Sequence, residues 1–482
     1  MSGRLPGPDA GELPFHFSSF LTMDYSAKLP LFLTLGLMAF DLGAATQKPN
    51  VLFISIDDLN DWTGYNGHPH VLTPNMDRLA RESVWFSRAY CQYAVCGPSR
   101  ASLMSGLYPQ QLDGTAWQSK RNPVYKTVEA MGSTLLHTYL QDHGYKTMSV
   151  GKVMHRHQLP ESALDVDGGR GGWNHNKDAD GNRLESNWFS EKTLTDWAVY
   201  TGEESQMSDS KAARWAAGQL EDEHEEPFML MVGFYRPHAP WHVPQQYFDL
   251  YDPARIPLPA YRADDFDDIP QAGRAQLNDG YPRTEWAIQE NQWRNILHAY
   301  LASISFVDAK IGMVLDALES SPYADNTIVI LWSDNGYHLG TKNTFQKHTL
   351  WERSARVPLI IKVPGSKATG ESRRIVSLLD LYPTLLELCG LPANDKVVGR
   401  SLVPLLDDPQ MEWDFPALTY GTADGKSIRT DDYRYIRYGD GGEELYHHPF
   451  DPHEWINLAS NPDHAAALRM LKAELEAYHV AP

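Results

Sequence analysis

Three uninterrupted apolar runs constrain the fold of this 482-residue chain more than any other feature: Asn50–Ile56 (NVLFISI), Phe228–Val232 and Thr327–Trp332 (TIVILW). Runs this short, apolar at consecutive positions and bounded by polar residues, read as strands buried on both faces, the pattern of a parallel sheet covered by helices. Lys146–Val150 and Val357–Val363 read as further strands. Between them lie segments with helix signals: Thr73–Phe86, Thr134–His143 closed by Gly144, Ser208–Asp222, Trp286–Ala317 and Tyr382–Leu388. The expected fold class is α/β. Alternating runs at Ala417–Tyr420, Lys426–Arg429, Tyr433–Tyr438 and Glu443–Tyr446 then predict a smaller antiparallel sheet, closed by a helix over His464–Tyr478.

Four of these strands end in chemistry. Asp57 and Asp58 follow the first. Gly151-Lys152-Val153-Met154-His155 follows Lys146–Val150. Arg236-Pro237-His238, with His242 beyond, follows the third, and its prolines stiffen the loop. Ser333-Asp334-Asn335-Gly336 follows the fourth, with His338, Lys342, Lys347 and His348 after it. Ligands of open α/β sheets bind at the carboxyl ends of strands, and adjacent carboxylate and amide oxygens suit a hard divalent cation. Alone, Asp57-Asp58 is equally a turn or helix cap, and a loop lysine is ordinarily solvated. Convergence on one sheet edge is what those separate readings leave unexplained.

A fifth segment belongs with them. In Tyr90–Tyr108 (YCQYAVCGPSRASLMSGLY), Pro98 reads as the first residue of a helix. Cys96 then lies at a helix N-terminus, where free N–H groups and the helix dipole favour an anion, and Arg100 can fold back toward it. A lone cysteine is more often a buried structural thiol. The surrounding residues decide against that reading.

Cys96-x-Pro98-Ser99-Arg100, followed by Ala101, Leu103 and Gly106, resembles the signature of type I sulfatases, in which the cysteine is oxidised to formylglycine. The surroundings of Gly151–His155, of Arg236-Pro237-His238, of Asp334-Asn335…Lys347 and of Asp58-Leu59-Asn60-Asp61-Trp62 look most like the iduronate-2-sulfatase branch. The resemblance implies an alkaline-phosphatase-like fold, with a mixed, mostly parallel central sheet sandwiched by helices and a smaller C-terminal antiparallel-sheet subdomain. It implies that Asp57, Asp58, Asp334, Asn335 and the modified Cys96 hold Ca²⁺, with Mg²⁺ as the alternative. In that branch histidine commonly stands where this chain has Asn335. Arg100 would hold the nucleophile, Lys152 and Lys347 would grip sulfate oxygens, His238 would serve the leaving oxygen and His155 the nucleophile. The implied reaction is hydrolysis of a carbohydrate sulfate monoester, with 2-O-sulfated uronate favoured and exo action expected. A formylglycine-generating enzyme would be a required partner. Trp173, Trp188, Trp241 and Tyr235 are candidates to stack on sugar faces, although aromatics mostly bury area. The competing readings are a phosphomonoester or phosphonate hydrolase of the alkaline-phosphatase superfamily, and a catalytically dead binder of sulfated glycans.

The net charge of -20 argues against a nucleic-acid partner. Three cysteines (Cys91, Cys96 and Cys389) are too few for a disulfide framework; a Cys91–Cys389 bridge and two buried thiols are the options. From Met23, which would be the start of translation, Lys28, the apolar stretch Leu29–Phe40 and Gly43-Ala44-Ala45 form an export signal too short to span a bilayer. The expected organisation is an N-terminal extension and signal over 1–45, a catalytic domain over 46–390 and a C-terminal α+β subdomain over 391–482. The expected location is periplasmic or secreted, without a membrane span. Arg156–Val199 is a long loop excursion of the kind that is either functional or disordered, and Asp178–Asn182 within it is a turn lacking the later ligands of an EF-hand.

Overall fold

Asn50–Asp57 is the strand on which the molecule is built, and its side chains explain why. Val51 and Phe53 point into one apolar core, while Leu52, Ile54 and Ile56 point into another, all fully buried. A strand apolar on both faces needs a helical layer on each. The computed structural model describes residues 48–112, 124–155, 163–178, 180–184, 186–422 and 424–478. The expected export signal and its cleavage site lie outside them.

Among the described residues the main sheet has nine strands. In spatial order they are Gly370–Ser377, Val84–Tyr90, Leu359–Lys362, Thr327–Ser333, Asn50–Asp57, Phe228–Pro237, Lys146–Gly151 and Val166–Asp167, with Arg356–Val357 also on Val84–Tyr90. Asn50–Asp57 is parallel to both of its neighbours, and Phe228–Pro237 is parallel to Lys146–Gly151. Leu359–Lys362 runs antiparallel between Val84–Tyr90 and Thr327–Ser333, so the sheet is mixed and mostly parallel, as expected. Helices Pro74–Arg81, Ser208–Glu221 and Trp293–Glu319 pack on one face; Cys96–Ser105, Leu136–Asp142 and Leu381–Leu388 pack on the other. A separate antiparallel sheet follows, Ala417–Tyr420, Lys426–Arg429, Tyr433–Arg437 and Glu443–His447 in that order. Leu471 and Leu475 of the helix Ala465–Ala477 pack against it.

Several boundaries differ from the sequence reading. The helix expected over Thr73–Phe86 ends at Arg81, because Val84, Trp85 and Phe86 are claimed by a strand that pairs on both sides. The segment Trp286–Ala317 is two helices, Thr284–Gln289 and Trp293–Glu319, separated where Asn291 takes a left-handed backbone (φ 55°). The helix at the cysteine begins at Cys96 itself, two residues before Pro98. No helix of the described residues is long and apolar enough to cross a membrane.

Candidate active site

Four neighbouring strands, Thr327–Ser333, Asn50–Asp57, Phe228–Pro237 and Lys146–Gly151, are mutually parallel, so their carboxyl ends share one edge. That single fact brings Asp57, Asp58, Lys152, His238, Asp334 and Asn335 together. Two glycines let the edge close. A Cβ on Gly233 would lie 2.1 Å from the Lys152 carbonyl carbon, and Gly151 holds a left-handed backbone (φ 77°) against the Gly233 carbonyl. The Lys152 N–H donates to that same carbonyl at 2.8 Å.

Cys96 arrives from the other face of the sheet. Every residue of the helix Cys96–Ser105 is buried, its small Gly97, Ser99, Ala101 and Ser102 allowing close packing. Its N-cap is Val95, whose side chain cannot cap, so the first N–H groups remain for another partner. Cys96 Sγ lies 3.5 Å from His155 Nδ1.

Acids and bases interleave around it. Lys152 Nζ bonds Asp57 Oδ2. Lys347 Nζ is 2.5 Å from Asp58 Oδ1, and Arg100 Nε is 2.6 Å from Asp334 Oδ2. His238 Nε2 stands 3.7 Å from Asp58 Oδ2. Asn335 Nδ2 donates to Asp58 Oδ1 at 2.9 Å. The remaining Arg100 donors go to Ser55 Oγ and to the carbonyls of Ile56, Lys152 and Val153, so this guanidinium ties three strand ends together. All of these ion pairs except His238 are essentially removed from water.

Two oxygens in this cluster are left over. Asp57 Oδ1 and Asn335 Oδ1 are buried and accept no hydrogen bond among the described residues. Ligand atoms of Asp57, Cys96 and Asp334 lie within 4.8 Å of one another, as do those of Asp57, Asp58 and His238. A buried acceptor without a donor is costly, and a hard cation would satisfy both oxygens. Burial alone would raise the Asp57 carboxyl, but Lys152 above all, with His238 and Lys347, holds it at about 2. Burial raises Asp334 against the pull of Arg100. Burial also disfavours the charge on Lys347, yet Asp58 and the neighbouring acids push its pKa well above the ordinary lysine value.

Every residue singled out in the sequence as catalytic or metal-binding therefore reaches this cluster. Three other polar residues near those motifs do not. His242 donates to Asp196 Oδ2 (2.9 Å) and accepts from the Asn176 N–H, fully buried. His338 is held between Thr341 Oγ1 and Thr349 Oγ1, and burial pushes it down to about 3. Lys342 is paired with Asp265 beneath Trp351 and Tyr446. Of the aromatics, Trp241 packs on Tyr300 and Tyr337, and Trp188 packs on Trp286. Trp173 stands at the cluster, 4.2 Å from the His238 ring and 4.7 Å from Lys152 Nζ, and Tyr235 packs against it with its ring 5.8 Å from the same Nζ. Sequence reasoning missed Ser55, the partner of Arg100, and Tyr281, whose phenol is pushed up to about 12 by burial beside Lys347 and Asp58. Cys91 and Cys389 are free buried thiols, so no Cys91–Cys389 bridge forms.

The sulfatase family model matches residues 49–391. The chain belongs to the sulfatase family. A second model, N-sulphoglucosamine sulphohydrolase, C-terminal, matches residues 340–481. This sulfatase is 39% identical over 441 residues to a sulfatase of Formosa agariphila, covering 89% of this chain and 86% of the relative. It is 29% identical over 489 residues to human iduronate 2-sulfatase, covering 81% and 85%. Among solved structures, it matches an enzyme in complex with its substrate D-glucosamine-2-N,6-O-disulfate with a TM-score of 0.72 at 22% identity, covering 90% and 97%. It matches the phosphonate monoester hydrolase of Agrobacterium radiobacter with a TM-score of 0.72 at 22% identity, covering 89% and 95%. The last two share the fold, which alone does not choose between esters. Family and relatives make the sulfatase a sulfuric ester hydrolase.

Proposed function

We propose that the sulfatase hydrolyses sulfate monoesters of carbohydrates, acting from the end of a sulfated polysaccharide fragment, with a 2-O-sulfated uronate as the favoured residue. The observation that carries the reading is the charge pattern around Cys96. Three carboxylates, Asp57, Asp58 and Asp334, are matched by three cations, Arg100, Lys152 and Lys347, and two buried oxygens accept no hydrogen bond among the described residues. Asp57, Asp58, Asp334 and Asn335 would hold Ca²⁺, with Mg²⁺ as the alternative and residue 96 completing the set. The ion would make a neutral cluster net positive and so favour the oxygens of a sulfate ester. Formylglycine at position 96 would supply, as its hydrate, one hydroxyl to attack sulfur and a second whose deprotonation expels sulfate.

The chain's own residues do the rest. Lys152 sits on Asp57, which faces residue 96, Lys347 sits on the neighbouring Asp58, and both would bind sulfate oxygens. Arg100, fixed by five hydrogen bonds, would set the field at residue 96 without moving. His238 Nδ1 donates to the Ala239 carbonyl at 2.6 Å, so Nε2 carries a proton in the imidazolium, the form that Asp58 at 3.7 Å favours against burial, and would give it from there to the departing alcohol. His155 Nδ1 faces residue 96 and would accept its proton. Likeness to iduronate 2-sulfatase supports the 2-O-uronate choice. The signal-like N-terminus supports a periplasmic or secreted location, and a formylglycine-generating enzyme would be needed for maturation.

The test is sulfate release by protein matured with such an enzyme, on a 2-O-sulfated unsaturated uronate disaccharide, 6-O-sulfated hexosamines and sulfated algal oligosaccharides, with Cys96→Ala as the blank. Release from the uronate alone is expected. Release only from another sugar would keep the mechanism and discard the uronate. A preference for phosphate or phosphonate esters would overturn the reading.

A further inference from the structure

Trp173 has no step in the proposed chemistry, yet the chain on both sides of it is fixed atom by atom. Residues 168–176 carry no helix or strand. The Gly172 N–H donates to Ser208 Oγ at 3.1 Å, and the same hydroxyl donates to the Gly172 carbonyl at 2.6 Å. Asn174 Oδ1 accepts the Ser208 N–H at 2.7 Å, one of the free donors that open the helix Ser208–Glu221. The Asn176 N–H and Nδ2 donate to His242 Nδ1 and to the Val199 carbonyl. Irregular segments are ordinarily mobile. One pinned on either side of a single side chain holds that side chain still.

The indole is held against His238. The two ring centres are 4.2 Å apart and the planes differ by 31°. Arg236 sets the spacing. Its buried guanidinium donates to the Asn174 carbonyl at 2.8 Å, one residue beyond Trp173, and to the His238 carbonyl at 3.3 Å. One planar group thus joins the two backbones that carry the rings. His238 has little else to orient it. Nδ1 is bonded to the carbonyl of the next residue, Ala239, and Nε2 stands 3.7 Å from Asp58, beyond hydrogen-bond length. A bond to the adjacent residue leaves the imidazole plane free to rock. An indole packed across the ring removes that freedom.

We propose that Trp173 is a positioning residue for His238, whose imidazole it holds with Nε2 aimed at the departing ester oxygen. The inference rests on the reading that His238 serves that oxygen. A reacting group misplaced by about 1 Å costs about 10²-fold, and here the cost falls on the step that needs the proton. Lys152 also lies against the indole, at 4.7 Å. It would bind the sulfate that every ester shares, so disturbing it does not discriminate between leaving groups. Disturbing His238 does.

The test measures kcat and KM for the carbohydrate sulfate that wild type cleaves fastest and for 4-nitrocatechol sulfate. The variants are Trp173→Phe, Trp173→Leu, His238→Ala and the double variant Trp173→Leu/His238→Ala. Trp173→Leu is expected to lower kcat on the sugar ester about 10–100-fold, to lower it less on the aryl ester and to leave KM nearly unchanged. Trp173→Phe, which keeps a flat face, should recover most of the loss. The double variant should be no slower than His238→Ala, because the indole acts through the imidazole. An unchanged sugar-to-aryl ratio in Trp173→Leu overturns the inference. So does recovery by leucine as full as by phenylalanine, or a loss in the double variant equal to the product of the single losses. Should wild type cleave no carbohydrate, or His238→Ala cost both esters equally, the acid reading falls separately. The placing of the ring is then judged by the His238 ring-proton resonance in protein carrying ¹³C-labelled histidine, which the indole displaces in wild type. A resonance that stays put in Trp173→Leu overturns it.

Discussion

Lys152 and Asp57 form a buried ion pair, although one follows Lys146–Gly151 and the other ends Asn50–Asp57, two strands separated by Phe228–Pro237. The pair spans the middle strand, so the lysine is placed by the sheet rather than by its own loop. Breaking a buried pair from one side leaves an uncompensated charge and costs about 3–5 kcal/mol.

Cys96→Ala is expected to abolish sulfate release, by roughly three orders of magnitude or more. The fold should survive, because the smaller side chain leaves the helix Cys96–Ser105 its backbone bonds. Turnover and thermal unfolding of the purified variant report the two effects separately.

His238→Ala should cost alkyl sulfates roughly 10²–10⁴-fold and activated aryl sulfates far less, since a good leaving group needs little protonation. Paired kcat measurements on the two ester types check this. Equal losses would remove His238 from the acid role.

Treatment with a chelator should lower both activity and melting temperature, and added Ca²⁺ should restore both, because an ion that binds only the folded state stabilises it. Asp57→Asn should blunt the recovery. Calorimetry with and without Ca²⁺ reads the stability arm independently of turnover.

Gly233→Ala should reduce activity. The new Cβ would collide with the Lys152 carbonyl group and push the Lys152 segment off the edge. Loss of kcat/KM together with a lowered melting temperature is the expected result.

Acid stability should depend on Glu454. Burial opposes its ionisation, but Arg434 (2.7 Å) and His448 (3.0 Å) hold its carboxyl down to about 2. A carboxyl lowered by folding stabilises the protein above its unfolded pKa, and that contribution is lost as pH falls from about 4.5 toward 2. Glu454→Gln should lower stability at neutral pH by about 3 kcal/mol, the low end for a broken buried pair, and should flatten the acid limb of the unfolding curve.

The central strands and their polar ends were legible because each apolar run stops abruptly at the residues that do the work. Val84–Tyr90 was hidden behind a helix signal that ran into it, and Gly370–Ser377 (GESRRIVS) is too polar to read as a strand until its partner is known. The histidines show a different limit. His238 and His242 stand four residues apart with the same surroundings in sequence, yet one faces Asp58 and the other Asp196. Trp173 and Tyr281 come from irregular segments without periodicity, and only tertiary packing brings them to the cluster.

The burial of the helix Cys96–Ser105 along its whole length sets an order of events. Cys96 is 5% exposed, behind strand ends tied by Arg100, so a protein-sized reagent cannot reach its sulfur without undoing the core around Leu103 and Met104. Any enzyme that alters this residue has to act on the nascent chain, before the sheet closes. A molecule that folds first keeps its thiol for life, and two populations of one sequence would part at the moment each met its modifier.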